Sequence, residues 1–173
     1  MKHMSQKMNH FEVSKFFYFN PSQSVGVREL ARLLGISVSK SQRSISFLEK
    51  EGLVSRSKSH SYDVFEAKVD SSIYLARKKL FILEAVLLSP QLNDLNILLE
   101  PSLIILFGSC SDGYYTSESD IDIFVQSHSK KRFVGSILGL PINIYVDSDL
   151  KSIKKGLREN IVNGIVLKGK ISL

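Results

Sequence analysis

Apolar residues recur at helical spacing through the first half of the chain and gather into short runs in the second half. Residues 9–20 read as a first helix, closed by Pro21, and residues 27–34 as a short second one ending in Gly35, a residue type that readily takes the left-handed turn after a helix. Ser37 is placed to cap a third helix, residues 38–51, which stops at Gly52. Its apolar positions Val38, Ile45 and Leu48, with Phe47 alongside, predict one packed face. Two strands, 53–57 and 62–66, should follow around the polar tip Lys58-Ser59-His60-Ser61. Residues 71–89, closed by Pro90, form a helix that is apolar on most sides, with Ile73, Leu75, Leu80, Phe81, Leu83, Val86 and Leu87. Such a helix needs cover, either between two modules or against a second copy in a two-fold homodimer.

Beyond Pro90 the pattern is helix (92–100), strand (103–107), long loop, strand, strand (142–146), helix, strand (165–167). Pro101 and Pro141 precede two of the apolar runs. Ser148 is placed to cap the last helix and Gly164 to end it, with Leu150, Ile153, Leu157 and Ile161 along one side. The pattern predicts an α/β (α+β) chain: an N-terminal module over residues 1–70, a linker helix over 71–90, and a small mixed sheet covered by helices over 91–173.

Charge separates these halves further. Residues 1–90 hold 14 Lys and Arg against 8 Asp and Glu, whereas residues 91–173 hold 9 of each. The whole net charge of +6 therefore lies in the first half, which suits a polyanionic partner or else a solvated basic surface. With 43% hydrophobic and 23% charged residues, the composition excludes a disordered or fibrous protein. Cys110 is the single cysteine, so no internal disulfide can form. The segment Met1-Lys2-His3-Met4-Ser5-Gln6 lacks the apolar stretch of a secretion signal, and Arg77, Lys78, Lys79 and Glu84 interrupt the 71–89 helix. A cytoplasmic protein with no membrane partner is expected.

The stretch Leu30-Ala31-Arg32-Leu33-Leu34-Gly35-Ile36-Ser37, followed by Arg43 and by Leu48-Glu49-Lys50-Glu51-Gly52-Leu53-Val54, resembles the winged helix-turn-helix transcription regulators. The resemblance implies that helix 38–51 enters the major groove of double-stranded DNA, presenting Ser39, Lys40, Gln42 and Arg43. Arginine can pair with guanine and glutamine with adenine, while serine and lysine hold phosphates. Arg56, Lys58 and His60 on the wing would reach a neighbouring backbone or minor groove. A winged helix used for protein contacts is the other reading.

The segment from Leu106 to Val125 carries the candidate chemistry. An apolar strand ends at Gly108-Ser109, where the missing bulk lets backbone N–H groups approach a phosphate and the hydroxyl adds a donor. Asp120 and Asp122 then open a second strand, and alternation puts both carboxylates on one face with Ile121, Ile123 and Val125 on the other. Two such carboxylates repel each other unless a cation lies between them, and hard oxygen ligands favour Mg²⁺ (or Mn²⁺) completed by triphosphate oxygens.

Gly108-Ser109, followed at this spacing by Ser119-Asp120-Ile121-Asp122, resembles the DNA polymerase β-type nucleotidyltransferase superfamily, particularly its minimal nucleotidyltransferases. The terminal run Asn163-Gly164-Ile165-Val166-Leu167-Lys168-Gly169 is similar to the end of those domains. The resemblance implies catalytic and metal-holding roles for Asp120 and Asp122, and contacts from Gly108 and Ser109 to the β and γ phosphates of a nucleoside triphosphate. An acceptor hydroxyl would attack the α-phosphorus and release pyrophosphate.

Two departures stand out. Cys110, Ser111 and Asp112 occupy the place where the family often carries an arginine. The third carboxylate, expected on the strand 142–146, is replaced by Asn143, which ligates weakly and cannot act as a base, unless Asp147 substitutes for it. Cys110 reads as a small filler rather than a reactive thiol, and the four histidines have no zinc-site spacing. These residues suit a DNA-tethered nucleotidyltransferase acting on a small molecule, a nucleic-acid end or a protein target, and the resemblance to the minimal nucleotidyltransferases adds antitoxin-type action on a separately encoded partner as an expectation. A transcription regulator that binds nucleotide without efficient catalysis is the alternative. A DNA-bound assembly factor fits Asp120 and Asp122 least.

Overall fold

The computed structural model describes residues 2–129 and 131–171, with the backbone alone for residues 2–9. Its contacts divide the chain into two compact units, Met1–Arg77 and Lys78–Leu173.

The first unit consists of helices α1 (Lys2–Phe19), α2 (Val27–Leu34) and α3 (Val38–Lys50), followed by the antiparallel hairpin β1 (Val54–Ser59) and β2 (Tyr62–Ala67). Val25, just before α2, bridges to Phe65 on the hairpin. Gly35 ends α2 at φ 63°, and the Ser37 side chain accepts the Lys40 N–H at 3.2 Å to start α3. The inner face of α3 differs from the predicted one. Ile45 and Leu48 are buried, but Val38 and Phe47 are exposed, and Ser41 and Ser44 point inward instead. Small hydroxyl residues let the neighbouring backbone come close and still find partners. The Ser41 hydroxyl donates to the Val27 carbonyl at 2.9 Å, and Ser44 Oγ lies 2.9 Å from His10 Nδ1.

The boundary between the units falls within helix α4 (Ser72–Leu87). Tyr74, Lys78, Ile82 and Val86 are buried along one side of it, whereas Ile73, Leu80 and Leu87 remain exposed.

The second unit continues with α5 (Pro90–Leu99), β3 (Leu103–Phe107), the short helix α6 (Gly108–Asp112), β4 (Ile121–Gln126), β5 (Ser136–Ile137) and β6 (Leu140–Asp147). A 3-10 turn (Leu150–Ser152), α7 (Lys155–Val162) and β7 (Ile165–Lys168) complete it. The sheet order is β5-β6-β4-β3-β7, parallel between β4 and β6 and antiparallel elsewhere. The mixed sheet matches the α+β expectation.

The single helix predicted from Ser148 to Gly164 is broken. Asp147 and Asp149 side chains capture the backbone N–H groups of Asp149 and Lys151, which tightens that stretch into a separate turn before α7 starts. The apolar set still works: Leu150 and Ile161 join a core cluster with Leu103, Ile105, Phe107 and Phe124, and Ile153 and Leu157 pack against it.

Candidate active site

Strand β3 is buried throughout, so its backbone is fixed up to Phe107. There the chain turns sharply. Gly108 takes φ +70°, and a Cβ added to it would lie 2.7 Å from Asp122 Oδ2. Glycine serves both needs, the left-handed backbone and the close approach of a carboxylate. The first turn of α6 follows, and the leading amides of a helix have no acceptor within it. Ser111 Oγ donates to the Gly108 carbonyl at 2.8 Å and Tyr114 N–H to the Ser109 carbonyl at 2.9 Å, which hold the turn together.

Antiparallel pairing brings the carboxylates to this turn. Phe107 is opposite Asp122, so the end of β3 meets the start of β4. The buried Cys110 thiol donates to the Asp120 carbonyl at 3.3 Å and ties the approach to β4 against α6. Burial pushes that thiol up to about 12, so it is a structural group and a poor nucleophile at neutral pH. Asp120 is exposed and Asp122 half-buried. Desolvation raises the Asp122 carboxyl above its ordinary value, the hydrogen bond from Asn143 pulls it back, and the negative charge of Asp120 raises it further. A carboxyl in that position gains from a nearby cation.

The parallel β4–β6 pairing sets Asn143 level with Asp122. The Asn143 amide donates to Asp122 Oδ1 at 3.0 Å and to the Tyr145 hydroxyl oxygen at 3.2 Å. Asp147 lies elsewhere. It pairs with Gln126 at the far end of the strand, four residues and about 13 Å along from Asn143. Its Oδ1 accepts the Asp149 N–H at 3.0 Å and the Ser152 hydroxyl at 2.8 Å, bonds that hold its carboxyl below the usual range. The structure therefore brings Gly108, Ser109, Asp120, Asp122 and Asn143 together and leaves Asp147 out. Among the described residues, no group of three or more His, Cys, Asp or Glu is placed to hold a metal.

Two groups near the site were not foreseen. Tyr145 reaches back along its strand to Asn143, and its ring packs on Phe107 at 5.5 Å between centroids. The period-two relation of residues 143 and 145 was the available signal. Lys78 is 2% exposed, with Nζ 4.6 Å from the centre of the Tyr115 ring, and Tyr115 Oη donates to the Lys78 carbonyl at 2.9 Å. Burial pushes the amine down to about 8, a shift that Cys110 partly opposes. A lysine inside an apolar helix gave no sequence signal of that burial.

On α3, Ser39, Gln42 and Arg43 are exposed and Lys40 is half-buried. Arg43 Nε donates to the Ser39 carbonyl at 3.3 Å, and Gln42 donates to Ser46 Oγ at 3.3 Å. The His10 ring stacks on Phe47 at 4.4 Å beside this face; burial, then the charges of Arg43 and Lys40, lower its affinity for a proton. Arg56 is committed differently from the other cations of the hairpin. It pairs with Glu49 at 2.9 Å and Asp63 at 3.5 Å, and stands over the Phe65 ring at 5.3 Å. Lys58 is exposed, and since β1 extends to Ser59, the tip narrows to His60 (φ 57°) and Ser61.

Residues 91–168 match the family model for a nucleotidyltransferase domain. The match runs from α5 to the end of β7 and contains the whole Gly108–Tyr145 constellation. It supports nucleotidyl transfer as the class of chemistry and a nucleoside triphosphate as substrate. No curated protein and no solved structure matches the chain significantly. No single helix among the described residues is long and apolar enough to cross a membrane.

Proposed function

We propose that the second unit binds a nucleoside triphosphate and transfers its nucleoside monophosphate to an acceptor hydroxyl, while the first unit holds the chain on double-stranded DNA. The observation that carries the first part is the meeting of the Gly108 turn with Asp122, within 2.7 Å of a Cβ position, at the end of a buried strand. Gly108 and Ser109 receive the β and γ phosphates on backbone N–H groups and a hydroxyl. Asp120 and Asp122 would hold Mg²⁺ or Mn²⁺; their all-oxygen donor set and the raised Asp122 carboxyl suit such an ion, which when bound neutralises phosphate charge. Calorimetry of triphosphate binding with Mg²⁺ tests this. Asp120→Asn combined with Asp122→Asn should lose the metal-dependent binding and keep the fold, and undiminished binding by the double variant refutes the site.

A second reading, a nucleotide-binding regulator with little catalysis, is favoured by Asn143, which gives hydrogen bonds where a third carboxylate would accept a proton. The DNA part rests on the exposed Ser39, Gln42 and Arg43 on one helix and on the basic first half. Ile73, Leu80 and Leu87, exposed seven residues apart on α4, support a homodimer seam. Sedimentation of Leu80→Glu should show a shift toward monomer; a parent that is itself monomeric at high concentration rules the seam out.

A further inference from the structure

The geometry points to an acceptor inside the chain itself: the Tyr145 hydroxyl receives the nucleoside monophosphate and becomes a nucleotidylated tyrosine. This inference rests on triphosphate binding at Gly108, Ser109, Asp120 and Asp122.

In the sheet, β6 adjoins β4, and β4 adjoins β3. Tyr145 is paired with Phe124, yet its hydroxyl lies 3.2 Å from the Asn143 amide, so the side chain leans back toward the end of β4 that carries Asp122. The same amide nitrogen is 3.0 Å from Asp122 Oδ1. One amide group thus separates the phenol oxygen from the carboxylate. The ring lies against Phe107, the residue that leads into the Gly108 turn. Tyr145 is therefore next to both parts of the triphosphate site, and at 38% exposure it remains open to solvent.

The chemistry of Asn143 agrees with this acceptor. A sugar or serine hydroxyl needs a base to draw off its proton, and an amide supplies none. A phenol is the more acidic hydroxyl and depends less on a base. What the attacking phenol needs is orientation and a donor that stabilises its phenolate form as the proton leaves, and the Asn143 N–H provides both. The Tyr145 oxygen attacks the α-phosphorus, a new O–P bond forms, and the bond from that phosphorus to the α,β-bridging oxygen breaks. Pyrophosphate leaves with the electron pair, and the phenol proton passes to water. Because the adduct fills the site that made it, labelling stops at one nucleotide per chain.

The test uses the full chain, each of the four ribonucleoside triphosphates labelled at the α-phosphate, and Mg²⁺ or Mn²⁺. After denaturation, intact mass should show the gain of one nucleoside monophosphate, and peptide mapping should place it on Tyr145. The labelling rate per chain should not change with protein concentration. Tyr145→Phe keeps the ring on Phe107, and should lose the label while its calorimetric affinity for triphosphate stays at the parent's value. Parent protein that binds triphosphate with metal but carries no label, or carries it on another residue, overturns the inference and leaves the proposed function standing. A rate rising in proportion to protein concentration overturns the intrachain step. Parent protein that fails to bind triphosphate overturns the proposed function and this inference with it.

Discussion

Replacing Asn143 with aspartate turns a favourable contact into a conflict that only a cation or a proton can resolve. The amide nitrogen of Asn143 now donates to Asp122 Oδ1 at 3.0 Å. A carboxylate in its place would stand at much the same distance from another carboxylate, with Asp120 adding to the charge. At an effective dielectric of about 20, two like charges about 3 Å apart repel by roughly 5 kcal/mol, an upper bound that the open side of the site reduces. Without metal the variant should therefore melt below the parent, or keep its stability by retaining a proton. With Mn²⁺ it should gain more than the parent, because a third carboxylate adds a charged oxygen ligand to the cation's shell. The rate effect is separate. For transfer to an added sugar or alcohol hydroxyl, restoring a general base is typically worth 10²–10⁴-fold, on the order of 3–5 kcal/mol of barrier, in turnover more than in nucleotide affinity. Transfer to Tyr145 instead loses the Asn143 donor and should not gain. Thermal melts with and without Mn²⁺, paired with single-turnover transfer, measure both. A variant that melts like the parent in both conditions and transfers no faster would show that residue 143 does not face the metal. Asp147→Asn is the control: its carboxylate is occupied by Asp149 and Ser152, so transfer should be unchanged.

Gly108→Ala should combine a backbone cost of about 1–2 kcal/mol with displacement of Asp122, lowering both the melting temperature and metal-dependent triphosphate binding; normal binding would contradict the close packing at φ +70°. Lys78 has a second signature, in pH. Folded Lys78 releases its proton near 8 and the unfolded chain near 10.5, so between these values the unfolded state binds more protons and stability rises with pH. The penalty, about 3 kcal/mol in full, is felt below pH 8. Lys78→Met should remove it, so urea unfolding should favour the variant at neutral pH and show the advantage shrinking toward pH 10.5; a constant difference refutes the buried amine. For DNA, Arg43→Ala should cost roughly 1–3 kcal/mol at its preferred site if Arg43 reads a guanine, and Lys58→Ala should weaken all sequences alike. Binding that ignores salt would count against this surface.

Much of this protein follows from local pattern. Period-two alternation placed Ile121, Ile123 and Val125 in the core and left Asp120 and Asp122 free for chemistry; Gly35 and Ser37 marked the turn between α2 and α3; the apolar run 103–107 is the buried centre of the sheet. Such features are legible because backbone geometry ties them to residues a few positions apart. What the tertiary structure decided depends on partners far along the chain. Parallel pairing set Asn143 level with Asp122 and carried Asp147 to the other end of the strand, where its neighbours captured it. Arg56 lost its freedom to Glu49 and Asp63, and Lys78 came to rest over Tyr115. Strand alternation says which face a residue occupies but not which neighbour it meets, because register is chosen by the packing of the whole sheet and a shift of one residue would turn every side chain over.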